Sequence, residues 1–459
     1  MKKKYHFFIL YVFCVTATTL FAQKELSAEE AVWIALENNY QVLIQNKQLE
    51  IAKKNNKWSE AGLFPTVELS AALGNSIVDN RNNPLTFTPG LVANQSTTPG
   101  LTANWNIFSG MGVLMNKRRL EQLEDQTRGN GLLVIENTAH DVLKAYFNSV
   151  LQKERLEVLK ELYIFSEKQA EYEQKKAEYG QSNSLSVLQF QNQYYSDSLN
   201  MMQQRIVYEN SLRNLMLLMN VSSEDLEKDR FPSLKDSLHY NIEPFQKETL
   251  LQELLQSNQN IKNQLINIEL QKTATRVQRS FLYPTIGVQF GATPNYGTFR
   301  LLGDDIPQQP GFPDISEGLR TEQVTYFANV NLRYSLFKNW KDKRAVAVSK
   351  IQEEIAEMNY EDTKKQLTNT ALNLMQQFEM RNRMVNIAAK NAEYAELAFK
   401  VGQDRYALGS INSLDLSQLR NAFLNAKLEQ LDMQYQKIDV YLELYKMTGK
   451  FQLEYVIQE

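Results

Sequence analysis

Cysteine is almost missing from this sequence: only Cys14 occurs in 459 residues, so a disulfide framework is excluded and thiolate chemistry has no second partner. Eleven prolines and eighteen glycines are too few for a collagen-like or low-complexity chain. Charge of one sign is also missing, since 50 Lys and Arg stand against 53 Asp and Glu. That balance lacks the clustered basic excess by which phosphate-binding proteins are recognised, so no nucleic-acid partner is indicated. The body of the chain has no apolar run long enough for a spanning helix, which excludes a helical membrane bundle. With 43% hydrophobic residues the chain is nevertheless not disordered.

Motifs that carry chemistry are missing too. The histidines are His6, His140 and His239, and no two stand at metal-ligand spacing. His140 beside Asp141 reads as a surface pair. No Gly-rich phosphate loop, Gly-x-Ser-x-Gly elbow or His-Glu-x-x-His is present. Carboxylates in runs such as Glu167 to Glu178 alternate with Lys and Gln, as on a solvated helix face. No catalytic, cofactor-binding or metal residue is nominated, and an enzyme has no foothold.

Residues 1–22 are informative. Lys2, Lys3 and Lys4 precede an apolar run from Phe7 to Val15, followed by small residues up to Ala22. This pattern predicts a secretory signal peptide with cleavage before Gln23. Cys14 lies within the apolar core, so a lipoprotein reading would cut that core in two.

Prolines and glycines divide the remainder. Apart from Pro232 and Pro244, every proline falls between 65 and 99 or between 284 and 313. The proline-free stretches are rich in Leu, Glu, Gln, Lys and Ala, which favour helix, and each contains an isolated glycine, Gly180 or Gly409, near a break. Each stretch therefore reads as two long helices joined at a tip. The pattern also repeats. Leu36, Asn39, Gln45, Glu50, Lys53, Leu63, Pro65 and Thr66 recur 219 positions later, from Leu255 and Asn258 to Pro284 and Thr285. Phe108, Gly180 and Asn183-Ser184-Leu185 recur at an offset of 229 as Phe337, Gly409 and Asn412-Ser413-Leu414. The expected organisation is a first repeat over 23–221, a polar linker over 222–248, a second repeat over 249–449 and a tail over 450–459. Each repeat holds one helix (27–62; 249–281), two strands and a helical hairpin (111–220; 340–448).

The strands are read from twofold alternation. Val67, Leu69, Ala71 and Leu73 alternate with Thr66, Glu68, Ser70 and Ala72, and Leu101, Ala103, Trp105 and Ile107 alternate with polar neighbours. The second copy repeats this from Ile286 to Ala292 and from Val324 to Leu336. These patterns predict strands near 66–78, 100–109, 285–293 and 323–337, either half-buried in a soluble sheet or set in an outer-membrane barrel. Residues 79–99 and 293–323, polar and rich in Pro, Gly and Asn, read as exposed loops. Four strands leave two bare edges, and each unpaired backbone group in lipid costs several kcal/mol, so a bilayer location requires identical partners to complete the barrel.

The duplicated helix–strand–strand–helix–helix plan, the pair Leu63-Phe64-Pro65-Thr66 and Leu282-Tyr283-Pro284-Thr285, and the Gly409 turn within Arg405 to Asp415 resemble the TolC-type outer-membrane efflux family. The likeness covers nearly all of the chain after residue 22. It implies a mixed α and transmembrane-β fold in which three protomers share a twelve-stranded barrel above an α-helical barrel. It further implies an outer-membrane channel-tunnel of a Gram-negative bacterium, reaching into the periplasm. Such a tunnel passively exports small molecules or secreted proteins delivered by an inner-membrane transporter through a periplasmic adaptor. The hairpin tips, Gly180, Asn183, Ser184 and Leu185 with Gly409, Asn412, Ser413 and Leu414, would dock the adaptor. Tyr406, Asp415 and Ser186 are the matching gate positions. The gate pattern departs at Ser186, which stands where the second copy has Asp415, and at Gln418 and Ile411, which replace charged residues of relatives. Asp415 suits a helix cap as well as a gate, and Ser186 suits a cap better. A secreted coiled-coil scaffold or adhesin with soluble sheets is the alternative reading, and it leaves the duplicated strand pairs unexplained.

Overall fold

The computed structural model describes residues 25–83, 90–221, 231–239, 245–302 and 318–451. The expected signal peptide, and the parts of the expected linker and tail at 222–230, 240–244 and 452–459, lie outside the described residues. In chain order the elements are β1 (Glu25–Leu26), α1 (Ala28–Asn38), α2 (Tyr40–Asn55), α3 (Trp58–Ala61), β2 (Thr66–Asp79), β3 (Leu91–Ser109), α4 (Gly112–Glu178) and α5 (Ser184–Leu218). There follow β4 (Ser233–Leu234), α6 (Lys247–Ser257), α7 (Gln259–Ser280), β5 (Thr285–Leu302), β6 (Leu319–Arg333), α8 (Lys341–Ala407) and α9 (Ser413–Met447). The hairpins of the two copies match in length, with 67 residues in α4 and α8 and 35 in α5 and α9.

Two of the expected helices are interrupted. The segment expected as one helix over 27–62 is α1, α2 and α3, and that over 249–281 is α6 and α7. The breaks after α1 and after α6 fall on an asparagine of the repeat. Asn39 is extended, at φ −66° and ψ 124°, and its side-chain oxygen accepts from Gln41 N at 2.8 Å. Asn258 is extended at φ −61° and ψ 125°, and accepts from Asn260 N and Ile261 N as the N-cap of α7. Asparagine competes for backbone donors in this way, which makes it a good cap and a poor helix-interior residue.

The chain divides into two compact units. One comprises residues 43–134 and 248–371 and contains the four-stranded sheet, ordered β2-β3-β5-β6 and antiparallel throughout. The expected loop regions prove shorter than the alternation suggested. Residues 91–99, 293–302 and 319–322 belong to strands, because β3 is paired on both sides and β5 carries the pairing outward. Between β3 and β5 the ladder lapses from Thr97/Tyr296 to Leu101/Ala292, where the register sets Pro99 opposite Pro294. Neither proline has an N–H to donate, so the gap falls where pairing is cheapest to lose. β6 ends at Arg333 rather than 337, since its partner β5 begins at Thr285, directly after Pro284.

Alternation gives this sheet two unlike faces. One carries Val67, Leu69, Leu73 and Ile77, joined across the ladder by Leu101 and Trp105, Ile286 and Val288, and Tyr326, Val330 and Leu332. The other carries Thr66, Ser70, Thr102, Asn104, Gln289, Asn329 and Asn331. Among the described residues the apolar face has no cover, with Leu69, Leu73 and Tyr326 each at least 78% exposed. Strand passes to helix through two successive left-handed residues in each copy, Gly110-Met111 and Asn339-Trp340. Gly110 is obligatory, because a Cβ there would lie 2.4 Å from Ser280 O.

The other unit comprises residues up to 42, 135–247 and 372 onward. Its main core joins Val32, Ala35, Tyr146, Val150, Leu212, Leu215, Ile438 and Leu442. The segment expected as a polar linker is anchored in this core at Leu234 and Leu238, and β4 pairs with β1 in parallel. Asp236 holds the junction, accepting from Ala28 N and from the Tyr146 hydroxyl, each at 2.8 Å. Burial pushes the Tyr146 hydroxyl well above the usual phenol range. Phe451 joins the same core, edge-on to Tyr445.

Candidate functional site

The hairpin tips are built alike. Gly180 and Gly409 both adopt φ +70°, and a Cβ at either would meet open space, so the backbone alone demands glycine. Gly180 N donates to Ala177 O and Gln181 N to Lys176 O, while Gly409 N donates to Tyr406 O and Ser410 N to Arg405 O. These are paired Schellman closures that satisfy the last carbonyls of α4 and α8. Each returning helix is then capped by an asparagine. Asn183 accepts from Ser186 N at 2.8 Å and Asn412 from Asp415 N at 2.9 Å. Asp415 closes a capping box, its carboxylate lying 3.4 Å from Asn412 N. The cap in the first copy is Asn183, not Ser186.

Large apolar residues flank both turns at equivalent positions: Tyr179 and Leu185 at the first tip, Leu408 and Leu414 at the second, all at least 58% exposed. Ser184 is exposed, whereas its counterpart Ser413 is half-buried and donates to Gln189 Oε1 at 2.6 Å, tying the second tip to the first hairpin.

Tyr406 and Asp415 are not brought together. The Tyr406 ring packs edge-on against Phe190 with centroids 5.5 Å apart, and Lys176 lies over it at 5.6 Å. Burial, and then the neighbouring Glu173 carboxylate, push its hydroxyl far above the usual range. Asp415 instead borders a groove of about 770 Å³ lined by Tyr394, Leu397, Val401, Arg405, Ile411 and Gln418.

Several polar residues of this region escaped the sequence reading. Glu173, within the run taken for a solvated face, is 1% exposed and accepts from Ser182 Oγ at 2.8 Å. Arg420 and Asp197 form an ion pair at 2.5 Å between α9 and α5, both buried. Arg420 borders a cavity of about 290 Å³ with Phe165, Gln169, Gln189 and Phe190. The signal was positional: Arg420 stands four residues after buried Leu416, and Asp197 seven after buried Phe190, so both fall on an apolar helical stripe. His140, expected at the surface, is 4% exposed, with its Nε2 3.2 Å from Glu443 and its Nδ1 3.1 Å from Asp141. Lys144–Asp439 and Arg155–Asp432 continue this row of pairs between α4 and α9.

Among the described residues, no His, Cys, Asp and Glu group could hold a metal ion, and no helix is long and apolar enough to cross a membrane.

Comparison with solved structures gives the fold. The chain superposes on the Campylobacter jejuni CmeC outer membrane channel with a TM-score of 0.73 at 17% identity, covering 92% of this chain and 85% of that one. The outer membrane protein VceC of Vibrio cholerae gives 0.70 at 14% identity, covering 92% and 96%. The open state of the Neisseria gonorrhoeae MtrE outer membrane channel gives 0.68 at 16%, covering 92% and 88%. No curated protein matches the sequence. The outer membrane efflux protein profile matches residues 32–221 and 250–450, most of the chain and both copies of the repeat. The chain therefore belongs to the outer membrane efflux protein family, the TolC-type channels of the outer membrane.

Proposed function

We propose that three copies of this chain close a twelve-stranded barrel in the outer membrane above a periplasmic α-helical tunnel, and that the assembly is a passive exit duct. The observation that carries this reading is the sheet, which among the described residues has one apolar face without cover, one polar face, and two unpaired edges, β2 and β6. A four-stranded sheet with such faces is stable in a bilayer only as part of a closed ring, with the apolar face toward lipid and the polar face lining the pore. Barrels closed by a single chain begin at about eight strands, so several chains must contribute. The duct has no chemistry of its own, and the energy for export comes from an inner-membrane transporter joined to it by a periplasmic adaptor.

In this reading the adaptor docks on the hairpin tips, where Tyr179, Leu185, Leu408 and Leu414 stand exposed around Gly180 and Gly409. Asn183, Asn412, Ser184 and Ser413 supply the turn geometry that presents them. The tips also form the gate. Tyr406 holds the second hairpin against the first, and the exposed Asp415 carboxylates form the charged constriction, with Ser186 as a neutral counterpart. A ring of aspartates favours cations at such a point.

Detergent-purified protein should have the mass of three chains, run as a heat-modifiable species and conduct ions in planar bilayers. Asp415→Asn should reduce cation preference without loss of trimer. In cells carrying the cognate pump, Leu185→Glu with Leu414→Glu should abolish export while leaving the trimer intact. A monomer that remains soluble without detergent and does not conduct would overturn the reading.

A further inference from the structure

The two free edges of the sheet carry charges that specify how they meet. Among the described residues, the polar face of the sheet has two charged side chains, Glu68 on β2 and Arg333 on β6. Both belong to edge strands, near the end where strands pass into helices, and they differ in sign. At the far end, on the apolar face, Asp79 lies on β2 and Arg320 and Glu322 lie on β6. Within one chain the edges are three strand spacings apart, about 14 Å, so Glu68 and Arg333 do not meet.

Pairing β6 with β2 of another copy is restricted by parity. Opposed residues must share a face, so the register moves only in steps of two. Arg333 can then stand opposite Phe64, Thr66 or Glu68 of the partner strand. Opposite Glu68, the same register would set Asp79 against Glu322 and Arg81 against Arg320, two like-charge contacts. Opposite Phe64, Asp79 would face Gly318 and Arg333 would lie beyond the strand. Opposite Thr66, Asp79 faces Arg320, Glu68 lies diagonal to Arg333 within reach of a long side chain, and Val67, Leu69 and Leu73 face Leu332, Val330 and Tyr326.

Barrel geometry selects the same register independently. Strands about 4.8 Å apart and tilted by about 35–45° are offset from each neighbour by roughly one residue, or about five over four strands. The step from β2 to β3 already supplies this offset, since Thr66 faces Asn104 while β3 continues to Ser109. The next two steps supply none, because Ser109 faces Thr285 and Thr285 faces Arg333. The seam is thus left nearly unstaggered, with Arg333 beside Thr66.

We propose that β6 joins β2 of a second copy in the register that sets Arg333 opposite Thr66. The seam is then fastened by Arg333–Glu68 on the pore face and Arg320–Asp79 on the outer face, where Asp79 already holds Arg81. This rests on the closed-barrel reading above and adds the contact that completes it.

Cysteine pairs test the register, in a chain whose natural Cys14 is replaced by serine. On oxidation of outer membranes, Thr66→Cys with Arg333→Cys should give a dominant cross-linked trimer on non-reducing gels. Glu68→Cys with Arg333→Cys and Phe64→Cys with Arg333→Cys should remain largely monomeric after heating. Dominant linkage through 68 or 64 would overturn the register. No linkage in any pair, with a heat-modifiable trimer still present, would overturn the seam but leave the channel reading standing. Absence of a trimer in the unmodified protein would remove both. The ion pair has its own test: Glu68→Arg should lower the temperature at which trimers dissociate, and adding Arg333→Glu should restore it. Failure of the second change to restore it would remove the Arg333–Glu68 contact.

Discussion

The Asp197–Arg420 pair joins helices from the two copies of the repeat at a point closed to solvent. Removing one member leaves a buried charge uncompensated, at a cost of about 3–5 kcal/mol, whereas replacing both by apolar residues of similar volume is often neutral. Arg420→Ala should therefore lower the thermal midpoint of the helical circular-dichroism signal sharply, and Asp197→Leu with Arg420→Met should recover most of it. His140 and Glu443 predict a pH effect. The His140 imidazole, 3.2 Å away and ahead of the other influences, holds the Glu443 carboxyl below the ordinary glutamate range. A carboxylate depressed in this way stabilises the fold above its unfolded pKa, and that contribution is lost as pH falls through the lower folded value. Thermal midpoints measured from pH 7 down to pH 3 should fall below the ordinary glutamate range, and Glu443→Gln should flatten that part of the curve. His140 and Glu173 are polar types that composition assigns to the surface. Only their place on a helix face packed by neighbours shows them buried.

At the scale of elements, asparagine recurs as the device that ends or starts a helix: Asn39, Asn183, Asn258 and Asn412 all have extended backbones and side chains accepting local N–H groups. Asn258→Ala should cost about 1 kcal/mol, typical of a lost N-cap, and should be read as a drop in chemical-denaturation midpoint without change in helical content. The hairpins and tips were legible because proline and glycine punctuate them and the repeat confirms the punctuation. The breaks at Asn39 and Asn258 were not, although both residues were matched in the repeat, because one asparagine costs a helix little until tertiary contacts favour the break. Asn39 does have such a contact, donating to Leu218 O at 3.2 Å. The outer ends of the strands were hidden as well, since residues 91–99 and 293–302 are polar and contain proline, and they are strand through pairing with neighbours.

For the whole molecule, the decisive property is the pair of unlike sheet faces in a chain of the outer membrane efflux family. Leu69→Arg would place a charge on the apolar face, where a cationic side chain near the bilayer midplane costs about 2–4 kcal/mol. The amount of heat-modifiable protein recovered from outer membranes should fall. Thr102→Arg, on the polar face of the adjacent strand, should leave that amount unchanged. Equal losses from the two variants would contradict the assignment of faces.

Periodicity and duplication belong to the sequence. The twofold alternation fixes which residues share a sheet face, the absence of proline fixes where long helices run, and residues matched at offsets of 219 and then 229 fix that the two copies fold alike. These are local properties, decided by backbone sterics and side-chain spacing. Tertiary structure alone decided that β3 and β5 join the copies into one sheet, that the prolines of those strands face each other, and that Asp197 meets Arg420 across the hairpins. Such contacts link residues that are distant in the chain, and their energies depend on desolvation and partner geometry, which no stretch of sequence carries by itself.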